Sequence, residues 1–434
     1  MNYDEALDWL YNVRRFGPER TLGPTRHVLE LLGNPQEGFR SIHVGGSNGK
    51  GSTSAMTASI LEAAGYKVGL FTSPHLEDFR ERVKVNGEYI SEGDVARILS
   101  RIRPLFEEML DRSMPLRFFD IVTAMAFQYF REAGVEYAVL EVGLGGRLDA
   151  TNVVDPLVSV ITNIGYEHTN ILGETLVEIA GEKAGIIKPG RVLVTATRDS
   201  EVYRVFKDRA EEVAAEVVHV GYDTAYTRTG SSLTGQTFDL HSLYEYTGLQ
   251  VPLLGEHQLL NAATAVAAVE CLGRYGVTVP SEAIRRGLVD VEWPARLEIV
   301  MERPLVVLDC AKDAEATEAV KKSIVNDMKP RRIVAVVSMS SDKKIPGMID
   351  SVAAVAEMFI VTTHSVMGRA AEPTRIAAEI ERNGRPYEVI PDEEYAFRRA
   401  LELAGDEDMV LVIGSVFLAG SARSFFREAA RRAA

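Results

Sequence analysis

The residues best suited to chemistry lie in a glycine-rich segment, residues 44–56, which reads VGGSNGKGSTSAM. It follows the apolar run SIHV and precedes a helical pattern, which is the setting of a phosphate-binding loop. Glycines let backbone N–H groups approach phosphate oxygens, and the N-terminal end of the next helix favours anions. Lys50 can reach the β- and γ-phosphates, and Ser52 or Thr53 can offer a hydroxyl group to a metal ion. The predicted nucleotide-binding residues are Gly46, Ser47, Asn48, Gly49, Lys50, Gly51, Ser52 and Thr53.

The spacing within this segment differs from the common nucleotide-binding pattern. Gly51 separates Lys50 from Ser52, whereas G-x-x-x-x-G-K-[ST] places the hydroxyl residue directly after the lysine. The sequence also lacks an N-K-x-D segment of the kind that reads guanine. Both features argue against a phosphate-loop kinase or GTPase. A glycine turn that only connects a strand to a helix is the simple alternative.

Other polar side chains stand where predicted strands end. Glu141 ends the run YAVLEVG, and Ser73 and His168 follow two further runs. In a parallel sheet such positions face the ligand crevice, and a carboxylate there is a suitable Mg²⁺ ligand. Asp309 ends the run LVVLD and could accept a hydrogen bond from ribose or adenine. A serine or histidine at a strand end is commonly just a turn residue, so the functional interpretation depends on the convergence of these strand ends.

Three side chains farther along the chain could add to this site. Arg296 lies in the segment WPARLE, near a predicted junction of two domains. Its fixed charge and forked donors could reach across a cleft to a γ-phosphate, although an interdomain salt bridge is the alternative. His257 and Asn261 are one helical turn apart and therefore face the same side of a predicted helix.

Short β-rich runs alternate with helical patterns along the first part of the chain. SIHVGG, YKVGLFTS, YAVLEVG, VSVITNIG and RVLVTAT are predicted strands, and this alternation indicates a largely parallel sheet covered by helices. The Thr/Ser/Tyr-rich residues 217–254 predict a small antiparallel sheet, and residues 256–290 are predicted to be helical. The strand–helix pattern then restarts. We therefore predict an α/β protein with a large N-terminal domain, residues 1–295, and a smaller C-terminal α/β domain, residues 296–434.

The composition restricts the possible partners. The formal net charge of -14 gives an acidic surface that repels nucleic acid and anionic lipid, so any anion site has to be a local pocket. The two cysteines lie far apart in apolar contexts, which favours a reduced, cytoplasmic protein. The N-terminal segment carries acidic residues and has no long apolar run, so we predict neither a signal peptide nor a membrane span. We expect a monomer that binds small molecules.

Several segments together resemble one enzyme family. SNGKGS is similar to the phosphate loop of the Mur-type amide ligases, and longer segments resemble the folylpolyglutamate synthase/dihydrofolate synthase branch of that family. The resemblance covers nearly the whole chain and implies a Mur-ligase-like fold, in which a P-loop ATPase domain precedes a Rossmann-like domain. The longer segments are TSPHLEDFRERVKVNGEYIS (72–91), LEVGLGGRLDATNVV (140–154), VITNIGYEHTNILGETLVEIAGEKAGIIKPG (160–190), GEHQLLNAATA (255–265) and LVIGSVFLAG (411–420).

The resemblance implies an ATP-dependent, ADP-forming reaction that joins L-glutamate to a pteroyl (folate-type) carboxylate. The carboxylate would attack the γ-phosphorus to form an acyl phosphate, and the amine would then displace phosphate. This chemistry needs cations and hydrogen-bond donors around the phosphates. It also implies one or two Mg²⁺ ions, with Ser52, Ser73, Glu141 and His168 as predicted ligands. The implied catalytic residues are Lys50, His168, Lys183 and Arg296, and Asn261, Arg296 and Asp309 are implied nucleotide contacts.

Lys183, in the segment EKAGIIKPG, has a special role by resemblance. In many such ligases this lysine is carbamylated, and the carbamate oxygens help to place a second metal ion. A solvated or ion-paired lysine is the alternative.

The predicted acid-substrate site is a loop at residues 72–82 that carries a histidine, a phenylalanine and two arginines. These side chains suit a flat, anionic molecule such as a pteroyl compound, although an ordinary charged surface loop would look the same. Phe118, Phe119 and Asp120 resemble a stretch that usually reads Phe-Glu. The predicted substrate-binding residues are His75, Phe79, Arg80, Arg82, Lys312 and Ser415.

One segment departs from the branch. Most members read D-[GY]-A-H-N-P where residues 309–314 of this chain read DCAKDA. Lys312 could still bind a carboxylate and Asp313 an ammonium group, so the departure concerns the amine substrate more than ATP activation. It keeps open the same chemistry on another carboxylate, such as a modified pterin or another cofactor precursor. A second alternative is an ATP-binding regulator without ligase activity.

Overall fold

The structure, a computed structural model, describes residues 1–14, 21–364 and 369–433. Its largest sheet contains β1 Arg40–Gly45, β2 Val68–Phe71, β3 Val83–Val85, β4 Glu88–Tyr89, β5 Tyr137–Glu141, β6 Val158–Ile161, β7 Val192–Thr195 and β8 Glu216–His219. These strands lie in the order β4-β3-β2-β5-β1-β6-β7-β8. The pairs β2–β3 and β3–β4 are antiparallel, and the other pairs are parallel.

Helices cover both faces of this sheet. Its central strands are buried on both sides, so their sequences are nearly continuous apolar runs. The helices of this domain are α1 Tyr3–Asn12, α2 Gly23–Leu31, α3 Lys50–Ala63, α4 Glu92–Asp111, α5 Phe118–Glu132, α6 Thr169–Leu172, α7 Leu176–Lys183, α8 Ser200–Glu212, α9 Glu256–Cys271 and α10 Ser281–Val289. One face of the sheet packs against α3 and α9, and the other packs against α4 and α5.

A small antiparallel sheet interrupts the helical cover between α8 and α9. Its strands are β9 Ala225–Ser232, β10 Gly235–His241 and β11 Glu245–Val251, in the order β11-β10-β9. Alternate residues of β10 are buried, since one face of the sheet packs on the core and the other meets solvent.

A second α/β unit follows in the chain and forms a separate sheet. Its elements are β12 Glu298–Glu302, β13 Leu305–Leu308, α11 Ala314–Ser323, β14 Ile333–Val337, α12 Ile345–Ala353, β15 Met358–Val361, α13 Pro373–Arg382, β16 Tyr387–Val389, α14 Glu393–Leu403, β17 Met409–Ile413 and α15 Val416–Ala433. The strands lie in the order β12-β13-β17-β14-β15-β16. The strand β12 is antiparallel to β13, and the other pairs are parallel.

The structure confirms the predicted fold class. Each of the five predicted strands contains a strand of the largest sheet, and the antiparallel sheet falls within residues 217–254 as expected. The predicted helical residues 256–290 form α9 and α10. The two α/β sheets lie on either side of the predicted junction at residues 295 and 296, which stays a prediction as a domain boundary. Among the described helices, none combines the length and apolar character needed to cross a membrane.

The order of the strands determines where a ligand can bind. The strands β5 and β2 lie on one side of β1, and β6 and β7 lie on the other side. Loops that leave the carboxyl ends of these neighbouring strands therefore diverge and open a crevice, which is the usual ligand position in such sheets.

We predict that His43 makes the fold sensitive to acid. Its ring is fully buried in β1, and Nε2 lies 2.8 Å from Thr151 Oγ1. Burial, assisted by the charge of Lys188, lowers the pKa of His43 from 6.5 to about 3. Below pH 6.5 the histidine binds a proton in the unfolded chain but stays neutral in the folded chain, so acid favours unfolding. The contribution of neutral His43 to the free energy of unfolding is therefore complete above pH 6.5 and is lost as the pH falls towards 3. Replacement of His43 by glutamine should reduce the pH slope of the unfolding free energy in this range by up to about 1.4 kcal/mol per pH unit. Urea unfolding at a series of pH values measures this slope, and parallel curves for the two proteins would contradict the assignment.

Candidate active site

A cavity of about 1130 Å³ lies between the two domains. Loops that follow β1, β2, β5 and β6 line it from the N-terminal domain, and loops that follow β13 and β17 line it from the C-terminal domain. All these loops leave the carboxyl ends of parallel strands. The strand-end side chains predicted from the sequence therefore meet in one space.

Two glycines with positive φ shape the phosphate loop between β1 and α3. Gly46 has φ 134° and Gly49 has φ 81°. A Cβ atom on Gly46 would lie 1.9 Å from Thr162 Oγ1, and a Cβ atom on Gly49 would lie 2.4 Å from Asn261 Oδ1. Both the backbone conformation and the close neighbours therefore require glycine at these positions.

Segment 162–165 holds the start of this loop. The backbone N–H of Ser47 donates to the carbonyl of Asn163 at 2.8 Å, and the N–H of Asn48 donates to Asn163 Oδ1 at 2.8 Å. These two donors are thus occupied within the protein, although Ser47 and Asn48 line the cavity. Of the predicted nucleotide contacts, Gly46 and Thr53 do not line it, and Thr53 is fully buried.

The glycine inserted after the loop lysine makes room for a tryptophan. Trp293 lies in the segment that links the two domains, and a Cβ atom on Gly51 would approach its ring to 2.6 Å. The Trp293 Nε1 group is buried and has no hydrogen-bond partner among the described residues. The linker is therefore packed directly on the phosphate loop.

Two lysine ammonium groups donate to the same backbone carbonyl, that of Gly46. Lys50 Nζ lies 3.0 Å from this oxygen and 3.0 Å from the carbonyl oxygen of Ser47. Lys183 Nζ lies 2.8 Å from the Gly46 oxygen. Lys50 faces the cavity, whereas the nearly fully buried Lys183 lies outside the residues that line it. Lys183 therefore stabilises the loop on the side that faces away from the cavity.

Glu167, which the sequence analysis did not select, balances these cations. Its Oε1 lies 2.6 Å from Lys183 Nζ. Burial opposes its ionisation, but Lys50, Lys183 and Lys312 outweigh that effect and lower the pKa of Glu167 to about 2. Burial in turn lowers the pKa of Lys183 to about 8, against the opposing influence of Glu167. The only sequence signal for Glu167 was its position directly before His168, after a predicted strand.

The predicted magnesium ligands share the cavity. Glu141 is buried at the end of β5 and accepts a hydrogen bond from the Ser73 N–H at 2.8 Å. Burial raises the pKa of Glu141, while Lys50 opposes that shift. His168 lines the same space, and burial together with Lys343 lowers its pKa to about 4. Ser52 lines it as well.

These side chains do not form a complete metal site by themselves. Within the described residues, no group of three or more His, Cys, Asp or Glu side chains is placed to hold a metal ion. The buried carboxylate of Glu141 and the nearby hydroxyl groups are hard donors that suit Mg²⁺, which normally retains water and phosphate ligands. The residues present therefore fit a magnesium ion that is held jointly with a phosphate.

Side chains of α9 and α11 line one part of the cavity. His257, Gln258 and Asn261 belong to α9, and Asn261 Nδ2 donates to Gln258 Oε1 at 2.9 Å. Burial and the charge of Arg296 lower the pKa of His257 to about 4. Apolar side chains of α11 and of the loop after β7 also line the cavity. They are Ala196, Ala316, Ala319 and Val320.

Arg296 and Asp309 meet at the junction of the domains. Asp309 is buried and accepts hydrogen bonds from the N–H groups of Leu297 at 2.9 Å and Ala311 at 2.7 Å. Arg296 donates to the carbonyl of Ala295 at 2.9 Å. Both predicted residues line the cavity, and Asp309 also fixes the ends of the segments that carry Arg296 and Lys312.

The loop at residues 72–82 is only partly directed at the cavity. His75 and Arg82 line it, and Arg82 Nε donates to His75 Nδ1 at 2.8 Å. Phe79 is buried in the core outside it. Arg80 pairs with Asp78 at 2.6 Å and also lies outside the cavity, so the structure does not place it where we predicted a substrate contact. Asp78 caps the short helical turn here and its carboxylate captures the arginine.

A polar and aromatic region beyond this loop was missed in part. Arg117 pairs with the buried Asp120 at 2.8 Å, and both line the cavity with Phe118 and Phe119. The buried Asp149 joins them and accepts hydrogen bonds from the N–H groups of Leu144 and Thr151 and from the hydroxyl group of Thr151. Asp149 and Arg117 were not selected, since neither stands at a strand end.

The C-terminal wall is rich in cations. Lys312, Lys343 and Arg369 line it, together with the predicted residue Ser415. Lys343 pairs with Asp342 at 2.9 Å. The residue Asp313, considered as an ammonium ligand, instead caps α11 by accepting the N–H of Ala316 at 2.8 Å.

Comparisons with known proteins show the family of the chain and its fold. Residues 118–269 match the Mur ligase middle domain, and residues 295–416 match the Mur ligase glutamate ligase domain. The chain is 36% identical to the dihydrofolate synthase/folylpolyglutamate synthase of Bacillus subtilis over 97% of this chain and 98% of that protein. It is 39% identical to a probable bifunctional folylpolyglutamate synthase/dihydropteroate synthase of Halobacterium salinarum, of which it spans 52%. A Mycobacterium tuberculosis folylpolyglutamate synthase complexed with ADP superposes with a TM-score of 0.91 at 31% identity, covering 98% of each chain.

The fold and the two matched domains define the chain as a Mur ligase, an ATP-dependent ligase that forms ADP. Within that family it belongs to the folylpolyglutamate synthase/dihydrofolate synthase branch.

We predict that Gly49 is essential for nucleotide binding because of its surroundings rather than its φ angle alone. Gly49→Ala should weaken ADP binding at least about tenfold, since the added Cβ displaces Asn261 as well as straining the backbone. Isothermal titration calorimetry measures this change. Gly65→Ala is the matched control, because Gly65 has φ 91° but a Cβ atom added there would meet no atom within 4 Å. Equal ADP affinity in the two variants would contradict the prediction.

Proposed function

We propose that this ligase joins L-glutamate to the carboxylate of a pteroyl compound through an acyl phosphate. One observation carries the proposal: a single cavity combines a phosphate loop, strand-end carboxylates, an aromatic and polar region, and a cation-rich wall from the second domain. These four parts correspond to the needs of ATP, a magnesium ion, a flat acid substrate and an anionic amine. One chain supplies both walls, which supports a monomer, and the use of ATP supports a cytoplasmic enzyme.

The first step in this proposal is attack by the substrate carboxylate on the γ-phosphorus of ATP, which releases ADP. The approach of two anions is the main obstacle, so the site needs positive charge at the phosphates. Lys50 and Arg296 face the cavity and are the candidates. Lys50 would exchange its hydrogen bonds to the loop carbonyls for phosphate oxygens.

Glu141, Ser73, Ser52 and His168 are the residues that would hold magnesium. When bound, the ion supplies positive charge that neutralises the phosphate oxygens. The buried Glu141 is kept in place by the Ser73 N–H, so its carboxylate is oriented before any ligand enters.

In the second step the amine of glutamate attacks the acyl carbon, phosphate leaves, and the amine loses a proton. Lys343, Arg369 and Ser415 on the C-terminal wall are suited to the carboxylates of the amine. Closure of the two domains would exclude water, which would otherwise hydrolyse the acyl phosphate.

The region around Phe118 supports a pteroyl acid as the substrate. Aromatic rings suit a flat heterocycle, and the buried Asp149 can accept hydrogen bonds from its amino groups. A structure of an Escherichia coli relative, 30% identical over the whole of this chain with a TM-score of 0.88, was solved in complex with DHPP and ADP. The same chemistry on another carboxylate remains the second candidate.

The proposal predicts phosphate release that depends on both substrates. ATP with dihydropteroate and glutamate should release phosphate, and Lys50→Ala should reduce the rate at least about 100-fold, because it removes a charge next to the reacting phosphate. A panel of pteroyl and other carboxylates and of amino acids identifies the substrates. Lys67→Ala, an exposed lysine outside the cavity, is the control. Release with a non-pteroyl acid alone would favour the second candidate, and ATP binding with no release would favour a regulator.

We also propose that Lys183 is carbamylated in the active enzyme. As an ammonium group it pairs with Glu167, so the negatively charged carbamate would require that carboxylate to turn away. Lys183→Ala should therefore lose most activity and regain part of it with added acetate, which can supply the missing oxygens. Phosphate release with and without acetate measures this rescue. Loss of activity without rescue would assign Lys183 the structural role seen here, and full activity would refute any role.

A further inference from the structure

The turn before α11 brings negative charge to the phosphate loop. Asp313 Oδ1 lies 3.4 Å from Asn48 Nδ2, across the boundary between the domains. Glu315 Oε1 lies 3.3 Å from the Nδ2 atom of Asn163, the residue that holds the start of the loop. Burial and the charge of Asp313 raise the pKa of Glu315. Two carboxyl groups therefore stand beside the place where a triphosphate would lie, and ionised carboxylates would repel it.

Lys312 is the neighbouring cation on the same turn. It lines the cavity directly before Asp313, so the Asp313–Asn48 contact also places Lys312 next to the phosphate loop. Within the described residues Lys312 makes no hydrogen bond or ion pair, whereas Lys50, Lys183 and Lys343 each have partners. An ammonium group without a partner in a half-buried position is ready to receive an anion.

The charges around Lys312 indicate which anion. Burial lowers the pKa of Lys312. Among the neighbouring charges Lys50 has the largest effect and lowers this pKa further, while Glu167 comes next and raises it. Lys312 also helps to stabilise the ionised form of Glu141 at the end of β5. These neighbours belong to the phosphate side of the cavity. Lys343, Arg369 and Ser415 line the C-terminal wall and are the candidates for binding the amine.

We propose that Lys312 binds the terminal phosphoryl group of ATP from the C-terminal domain and offsets the negative charge of Asp313 and Glu315. This inference rests on the proposed function and replaces the prediction that Lys312 binds a carboxylate of the amine. A diphosphate lacks the group that Lys312 contacts, so the contact makes closure of the C-terminal domain depend on a triphosphate. With Lys312 assigned to the phosphate, the departure at residues 309–314 no longer argues against glutamate as the amine.

Calorimetric titration of Lys312→Gln with AMPPCP and with ADP, each in the presence of Mg²⁺, tests the proposal without turnover. Affinity for AMPPCP should fall at least about tenfold, because a charged hydrogen bond is lost, while affinity for ADP should change less than about twofold. Lys312→Arg retains the charge and should keep most of the preference for AMPPCP. Lys322→Gln, which changes an exposed lysine near the end of α11, is the control and should behave as the wild type.

A second substitution tests the offset of charge. Asp313→Asn preserves the cap of α11, since asparagine caps helices as well as aspartate does, but it removes the negative charge. AMPPCP affinity should rise roughly twofold to fivefold, and the same change in the Lys312→Gln background should restore part of the lost affinity. Thermal unfolding of each variant verifies that the fold is intact.

Steady-state kinetics with glutamate separates the competing roles. The proposal expects an unchanged KM for glutamate in Lys312→Gln and a lower kcat. An increased KM for glutamate with an unchanged ratio of AMPPCP to ADP affinity would overturn it and return Lys312 to the amine site. The wild type could release no phosphate with pteroyl acids and glutamate, while the Lys312→Gln variant still loses the preference for AMPPCP over ADP. In that case the proposed substrates are wrong and the role of Lys312 stands.

Discussion

The carbonyl oxygen of Gly46 accepts hydrogen bonds from the ammonium groups of both Lys50 and Lys183, and the active-site architecture depends on this shared acceptor. Two like charges at one oxygen repel each other unless a nearby anion compensates them. Glu167 supplies that anion, and its pKa is low for this reason. Lys50 faces the cavity, so a phosphate group could take over the hydrogen bonds that its ammonium group donates to the loop, whereas Lys183 lies outside the cavity and stays paired with Glu167. Any movement of Glu167 would change the charge balance around Lys50 and Lys183 together.

The division of labour between the domains follows from this arrangement. The N-terminal domain provides a tightly packed phosphate loop, whose glycines touch Thr162 and Asn261. The C-terminal domain approaches it through the ends of β13 and β17 and contributes a wall of cations. In the proposed reaction the acid and the amine would reach the phosphates from opposite walls, so the chemistry would take place where the two strand-end edges face each other.

Much of this site could be predicted from the sequence, because local patterns determine it. The phosphate loop stands between an apolar strand and a helix, and Glu141 ends a buried strand, so their positions follow from the alternation of elements. Side-chain pairing could not be predicted in this way. Arg80 is captured by Asp78, and Asp313 is used as a helix cap, and both outcomes depend on short-range hydrogen bonds that spacing alone does not reveal. Glu167 and Arg117 acquire their roles only through contacts made by the folded chain.

The contact between Gly51 and Trp293 has a further consequence. The chain has two tryptophans, and the other, Trp9, lies in α1 and packs against the helices on the opposite face of the large sheet. The indole of Trp293 therefore sits where the linker between the domains meets the nucleotide site, with an Nε1 group whose surroundings change if the linker shifts. Its intrinsic fluorescence thus provides a natural optical signal of domain movement, without the addition of any label.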